Sequence, residues 1–320
     1  MTEKKVLLWP SLAGPEIAAR LREIRGAETV IVERVEQLET AAVEAEVLVV
    51  GGHFFSARVA TVLREQAKRL RFIQSITAGY EGIQAHGVPA GVVVANAGES
   101  WSPGVAEHGM ALLLALTKRL PQYVVNKERR VWDRSAAQQM GSLEGQTLVI
   151  AGFGSIGRDF ARRAKAFGMR VIGVSRSARP DPMADEVCAA AELNAALARA
   201  DAVLVASPYS KATHHMIGAA QLAACKRGAL LINVARGGLI DQTALAAALR
   251  SGQLGGAALD VTTPEPLPAG DPLWDCPNLI ITPHVAGACG TVGRARLAEF
   301  IGANVERFVT GQPVTHVVQL

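Results

Sequence analysis

The chain has 320 residues, 49% of them apolar and 19% charged. That balance excludes a disordered chain, and the length exceeds what one ordinary core fills, so two domains are expected. Thirty-three basic residues against 29 acidic ones leave a formal charge of +4, but they are scattered, and the densest group, "KERRVWDR" (127–134), contains two acids. It reads as a solvated helical face and not as a nucleic-acid surface.

The first hundred residues alternate strand and helix. "KVLLW", "TVIVE", "VLVVGG", "FIQSIT" and "GVVVANAG" read as strands, with "PEIAARLREIR" an amphipathic helix between the first two. Such alternation implies a parallel sheet covered on both faces. A long apolar helix, "SPGVAEHGMALLLALTKRL", follows, with Ser102 as N-cap and Pro103 in first position. Its apolar surface is wider than one domain face needs. Either it links two domains and offers a dimer surface around Gly104–Leu116, or it is buried within the monomer. From Gln146 a second set begins, with strands "TLVIAG", "RVIGVS", "AVLVAS", "ALLINVA", "GGAALDV" and "NLIIT". The final helix, "TVGRARLAEFIGANVERFVTG", is expected to pack back on the N-terminal half. The fold class is therefore α/β, with two doubly wound parallel-sheet domains.

The N-terminal apolar run is too short for a secretion signal, and the 104–116 stretch is too short to span a bilayer and carries Glu107 and His108. Cys188, Cys225, Cys276 and Cys289 show no metal-ligand or redox spacing. A cytoplasmic protein without metal, nucleic-acid or membrane partners is expected. The pair His214–His215 lacks a third ligand and reads as helix-start surface, and His108 as a structural histidine.

"TLVIAGFGSIGRDF" places Gly152, Gly154 and Gly157 in G-x-G-x-x-G spacing between an apolar strand and a helix. That context reads as a dinucleotide site: a tight turn at Gly152, close backbone approach at Gly154, close helix–strand packing at Gly157. Free N–H groups around Ser155 and Ile156 would take phosphate oxygens. An NAD site usually has a carboxylate at the end of the next strand; here Ser175 and Arg176 stand there, with Arg179 nearby. A hydroxyl and a guanidinium suit a 2′-phosphate, so NADP(H) is preferred, with NAD(H) as the alternative.

Arg236, Glu265 and His284 each follow a strand of the second set, at the carboxyl end where ligands bind in open parallel sheets. Together they offer a guanidinium, a carboxylate and an imidazole at one edge of the sheet. The segments "GFGSIG", "INVARGGLID", "ALDVTTPEPLP" and "NLIITPHVAG", in this order, resemble the D-isomer-specific 2-hydroxyacid dehydrogenases, of the NADP-dependent glyoxylate/hydroxypyruvate reductase kind. The likeness runs from about Ile76 onward and is strongest over 143–287, and "GVAEHGMALLLAL" resembles that family's interdomain helix. The resemblance implies catalytic roles for Arg236, Glu265 and His284 in reducing a 2-oxo acid, which needs a hydride donor, an acid and a carboxylate clamp: His284 suits the acid, Glu265 the group that orients it, and Arg236 the clamp. It implies a Rossmann dinucleotide-binding domain at 100–286 and a smaller flavodoxin-like substrate domain at 1–99 and 287–320. It also places Ser102, Ser207, Pro208, Thr213, Val234, Ala235 and Asp260 at the cofactor, Asp260 on the carboxamide unless it only braces its loop. Ala78 and Gly79 fall in a substrate-carboxylate loop, where Tyr80 departs from the family's usual acidic residue. Trp101 either lines the substrate pocket or packs between domains.

The expected activity is NADPH-dependent reduction of small 2-oxo acids to D-2-hydroxy acids, glyoxylate or hydroxypyruvate favoured, by a homodimer. The alternative class is a dinucleotide-gated, non-catalytic binding module or corepressor-like protein.

Overall fold

The computed structural model describes residues 3–288 and 290–320. Two compact units divide the chain, Met1–Trp101 with Cys289–Leu320, and Ser102–Ala288. The first unit begins β1 (Lys4–Trp9), α1 (Gly14–Arg22), β2 (Ala27–Ile31), α2 (Val35–Ala41), β3 (Ala45–Val50), α3 (Ala57–Gln66), β4 (Phe72–Ser75), α4 (Glu81–His86) and β5 (Val93–Ala95). Its strands are parallel in the order β2-β1-β3-β4-β5. That is the doubly wound order of flavodoxin-like sheets. β3 and β4 are central, and their runs "VLVV" and "FIQS" are buried throughout, whereas the edge strand β2 stays half-exposed. A central parallel strand is covered on both faces, so an unbroken apolar run is what it requires.

The second unit opens with α5 (Ser102–Thr117) and α6 (Leu120–Glu128). β6 (Thr147–Ala151), α7 (Ser155–Ala166), β7 (Arg170–Ser175), β8 (Glu186–Ala189), α8 (Leu193–Leu197) and β9 (Ala202–Val205) come next. The unit ends with α9 (Ala219–Ala224), β10 (Ala229–Asn233), α10 (Gln242–Arg250), β11 (Leu254–Leu259) and β12 (Leu279–Ile281). Seven parallel strands run β12-β11-β10-β9-β6-β7-β8. The direction of winding reverses between β6 and β9, the switch point at which such sheets bind ligands. Six strands are expected here from apolar runs; the seventh, β8, is the edge strand "EVCA", and all four of its residues are only half-buried. An edge strand with one covered face needs no continuous apolar run, so apolarity alone does not reveal it.

α5 packs on α7, β10 and β11, and nine of its residues are buried, among them Val105, Met110, Leu113 and Leu116. A Cβ at Gly109 would lie 3.0 Å from the Phe160 ring and 3.4 Å from Val234, so the glycine sets how closely α5 lies on α7. The wide apolar surface of this helix is thus largely consumed inside its own unit, and Glu107 and Ala111 are its exposed positions.

The chain then returns to the first unit with α11 (Gly290–Val309), which lies against α1. Arg20 of α1 bonds Glu299 and Glu306, and Arg294 bonds Glu16. The buried anchor is Asn304. Its amide nitrogen donates to Gln74 Oε1 at 2.7 Å and to the Thr315 carbonyl, and its oxygen accepts from the Thr315 N–H. Replacing Asn304 by Leu strands a buried amide oxygen and a backbone N–H, each costing about 1–3 kcal/mol. Asn304→Leu is therefore expected to lower unfolding stability by about 2–4 kcal/mol, measured by chemical denaturation; Gln74→Leu in the same background should recover part of that loss.

Candidate active site

The glycine loop joins β6 to α7. Gly152 has φ +105°, and a Cβ there would fall 2.4 Å from the Ser207 backbone nitrogen, so no other residue fits. Ser207 completes the contact by donating from its hydroxyl to the Ala151 carbonyl at 3.1 Å. A Cβ at Gly157 would meet the Gly152 carbonyl at 2.7 Å, which marks the close approach of α7 to β6. Gly154 is different: nothing lies within 4 Å of its Cβ position. It is the N-cap of α7 and supplies no side-chain cap, so the first-turn N–H groups at Ser155 and Ile156 face that open space. An uncapped twelve-residue helix behind a vacant Cβ position suits a pyrophosphate, so these residues fit a dinucleotide.

At the end of β7, Ser175 Oγ accepts from the Ala178 N–H at 3.2 Å, which leaves its proton free to donate. Arg176 and Arg179 are exposed. The carboxylate of that loop, Asp181, accepts from the Met183 N–H and lies 3.8 Å from Arg158 on α7. Pro208 and Thr213 belong to the turn after β9. Thr213 Oγ1 donates to the Pro208 carbonyl at 2.8 Å and accepts from the Ser210 N–H, so its hydroxyl braces the turn. His214 and His215 stack at 3.8 Å in the same turn, before α9 and not at its start.

Arg236, Glu265 and His284 come from the loops after β10, β11 and β12, which are consecutive neighbours in the sheet. Parallel neighbours lie about 4.8 Å apart, so the three loops emerge side by side on one edge. His284 Nδ1 and Glu265 Oε2 are 2.8 Å apart, on side chains exposed by 50% and 39%. Glu265 Oε1 accepts from the Thr262 N–H at 3.1 Å, which pins the carboxylate. Arg236 is half-buried, and one guanidinium nitrogen donates to the Ala235 carbonyl at 2.7 Å.

Three residues shape these loops: Asn233 and Gln242, which sequence reasoning passed over, and Gly237, to which it gave a different role. Asn233, fully buried at the end of β10, donates to the Arg236 carbonyl and accepts from the Ala235 N–H, closing the turn over buried Val234 and Ala235. Gln242 bonds both the N–H and the carbonyl of Thr263, at 2.7 and 2.9 Å, tying α10 to the Glu265 loop. Gly237 would place a Cβ 2.1 Å from the Thr262 carbonyl carbon. The glycines after Arg236 are expected to bring backbone close to ligands. What Gly237 meets is the Glu265 loop, and what Gly238 meets is the Tyr209 ring. A polar residue closing a strand inside an apolar run was the available signal for Asn233.

Asp260, 1% exposed, lies behind His284. Its Oδ1 accepts from the Thr282 hydroxyl at 2.6 Å and the Val285 N–H at 2.9 Å, and its Oδ2 from the Ala286 N–H at 2.9 Å. It braces the loop. Ser102 is buried at the start of α5.

Ala78, Gly79 and Trp101 belong to the first unit. The carbonyls of Ala78 and Gly79 accept from Asn96 and from the Thr77 hydroxyl, which fixes the loop. Trp101 is 9% exposed and its indole donates to the Ile76 carbonyl at 2.9 Å.

Known proteins resemble this chain in sequence and fold. The profile described as "D-isomer specific 2-hydroxyacid dehydrogenase, NAD binding domain" matches residues 110–286. A D-3-phosphoglycerate dehydrogenase of Methanocaldococcus jannaschii is 34% identical over 89% of this chain, which spans only 54% of that longer protein. A glyoxylate reductase of Korarchaeum cryptofilum is 34% identical over 78% of this chain and 76% of its own. Among solved structures, a D-isomer-specific 2-hydroxyacid dehydrogenase family protein from Aeromonas salmonicida superposes with TM-score 0.88 at 33% identity, covering 99% of both chains. An NADPH-dependent glyoxylate/hydroxypyruvate reductase from Sinorhizobium meliloti, solved with NADP and malonate, superposes with TM-score 0.80 at 27% identity over 99% of this chain and 97% of that one.

The glycine loop gives a paired test. Gly154→Ala adds a methyl group into open space at an ordinary φ of −92°, so the thermal midpoint should stay within about 2 °C of wild type while dinucleotide Kd rises at least about tenfold by titration. Gly152→Ala collides with backbone and should lower the midpoint itself.

Proposed function

The chain belongs to the D-isomer-specific 2-hydroxyacid dehydrogenases, a family of oxidoreductases, and on that premise we propose that it reduces small 2-oxo acids to D-2-hydroxy acids with NADPH. Glyoxylate and hydroxypyruvate are the favoured substrates. The observation that carries the reading is the 2.8 Å bond between His284 Nδ1 and Glu265, one loop away from Arg236 on the same sheet edge.

A carboxylate can only accept, so the bond to Glu265 puts a proton on Nδ1 and turns Nε2 into the working nitrogen. The reduced nicotinamide, when bound, supplies the hydride. His284 Nε2 gives its proton to the carbonyl oxygen as that oxygen takes on charge, and the ring is left neutral with its Nδ1 proton in place. Oxidation of the hydroxy acid runs the same transfer backwards, with Nε2 as the base. Arg236 binds the substrate carboxylate and polarises the carbonyl, and its guanidinium suits bidentate recognition. The N–H groups of Ala78 and Gly79, in a loop whose carbonyls are already committed, are further donors for a substrate anion.

NADPH preference is supported by the end of β7, where Ser175 retains a free hydroxyl proton and Arg176 and Arg179 are exposed. Ser102, Val234, Ala235, Ser207, Pro208 and Thr213 stand as cofactor-side residues, and Asp260 as a cofactor contact as well as a brace. The intact Arg236, Glu265 and His284 set favours catalysis over a binding module. A cytoplasmic homodimer completes the proposal. Among the described residues no helix is long and apolar enough to cross a membrane. Exposed apolar side chains on and just after α6 include Leu120, Val124, Val125, Val131 and Trp132, the last 95% exposed, which suits a second copy meeting α5 and α6 together.

His284→Ala is expected to lower turnover of glyoxylate or hydroxypyruvate at least about 100-fold, followed by NADPH absorbance, while NADPH Kd changes by less than about threefold. Near-normal turnover removes His284 from the chemistry. Tight NADPH binding with no oxidation by any 2-oxo acid would instead favour the non-catalytic module. Ser175→Asp combined with Arg176→Ile should move the ratio of kcat/KM for NADPH over NADH roughly 10- to 100-fold toward NADH, since one or two charge-assisted bonds are lost.

A further inference from the structure

We propose that His108 on α5 is a positioning residue for His284, acting through Thr282 and Asp260; this rests on the reading of His284 as the proton donor. His108 Nε2 lies 3.1 Å from Thr282 Oγ1 and 3.5 Å from Asp260 Oδ1. Thr282 has one hydroxyl proton, and its 2.6 Å bond to Asp260 takes it. Towards His108 the same oxygen can then only accept. His108 must therefore carry a proton on Nε2, and it points a donor at the pair of oxygens behind the catalytic turn.

That turn needs support. His284 has φ +53°, in the left-handed region, which only a few per cent of non-glycine residues adopt. The restraint comes from Asp260. Its backbone carbonyl accepts from the His284 N–H at 2.7 Å, and its carboxylate accepts from the N–H groups of the next two residues, Val285 and Ala286. Three successive backbone donors are thus anchored on one residue. The carboxylate is in turn oriented by the Thr282 hydroxyl, and that hydroxyl by His108. α5 makes a firm base for the chain of bonds: it is buried along most of its length against α7, β10 and β11.

Without the Nε2 donor, Thr282 loses the partner that holds its rotor, Asp260 loses its side brace, and the His284 backbone is freer to leave the left-handed region. The 2.8 Å bond to Glu265 then no longer sets a single ring orientation. Misplacement of a proton donor acts on kcat more than on substrate or cofactor binding.

The test compares His108→Leu, His108→Gln and Thr282→Val in the full chain. His108→Leu and Thr282→Val should each lower kcat for glyoxylate or hydroxypyruvate about tenfold, with substrate KM held within about threefold. His108→Gln keeps an N–H donor and should recover to within about threefold of wild type. Histidine-selective 15N NMR should show the Nε2–H form at His108 in the wild type, and a changed His284 ring signal in the Leu variant but not in the Gln variant. Equal activity of the Leu and Gln variants, an Nε2-deprotonated His108, or an unchanged His284 signal in both Leu and Val variants overturns the proposal. Should the Leu variant fail to fold, Thr282→Val breaks the same relay without touching α5. If the wild type reduces no 2-oxo acid, the catalytic reading fails, while the NMR comparison still decides whether His108 positions His284.

Discussion

A carboxyl side chain sunk to 1% exposure needs donors on all sides, and Asp260 obtains them from the segment that carries His284. Burial of such a group costs several kcal/mol unless hydrogen bonds replace water. Here the replacements are the N–H groups of residues 285 and 286 and the Thr282 hydroxyl, so satisfying the carboxylate and shaping the turn are one event. The backbone of His284 is held in a conformation it would otherwise avoid, and its ring is presented half-exposed to Glu265. Satisfying a buried carboxyl group thereby fixes where the His284 ring is presented.

Sheet topology does the rest. Successive parallel strands deliver successive loops to one edge, so residues 29 and 19 positions apart in sequence, Arg236 to Glu265 to His284, emerge as neighbours. Covalent proximity plays no part. The same edge carries the glycine loop after β6 and the Ser175 loop after β7. Within Ser102–Ala288 alone, one sheet therefore holds an uncapped helix N-terminus, a cationic loop and a histidine–carboxylate pair.

Much of this was legible because the governing forces are local. Continuous apolar runs such as "TLVIA" and "ALLIN" announce central parallel strands, since both faces must be covered. The spacing of Gly152, Gly154 and Gly157 announces a close turn, since at Gly152 and Gly157 a Cβ would run into backbone. What escaped depends on contacts distant in sequence. β8 is an edge strand of mixed polarity. Gly237 is a glycine because the Thr262 backbone, 25 residues on, leaves no room for a Cβ. The relay from His108 to Asp260 spans 152 positions and has no spacing signature, so His108 reads as an ordinary structural histidine until the strand ends are assembled around it.

The guanidinium of Arg236 shows how such a site meets its own cost. It emerges from a buried strand, between Ala235 and Gly237, both buried. Asn233 folds the backbone back on itself, and the Ala235 carbonyl accepts one guanidinium N–H at 2.7 Å, so part of the desolvation is offset before any ligand arrives. Arginine has five donors in a rigid fork, and the Ala235 carbonyl accepts from one of them. Lysine could not divide its charge in this way: its donors radiate from one nitrogen, and a bond to the Ala235 carbonyl would hold the whole charge there. A planar fork can be anchored at one edge and turn its other edge in a different direction, which a point charge on a flexible stem cannot do.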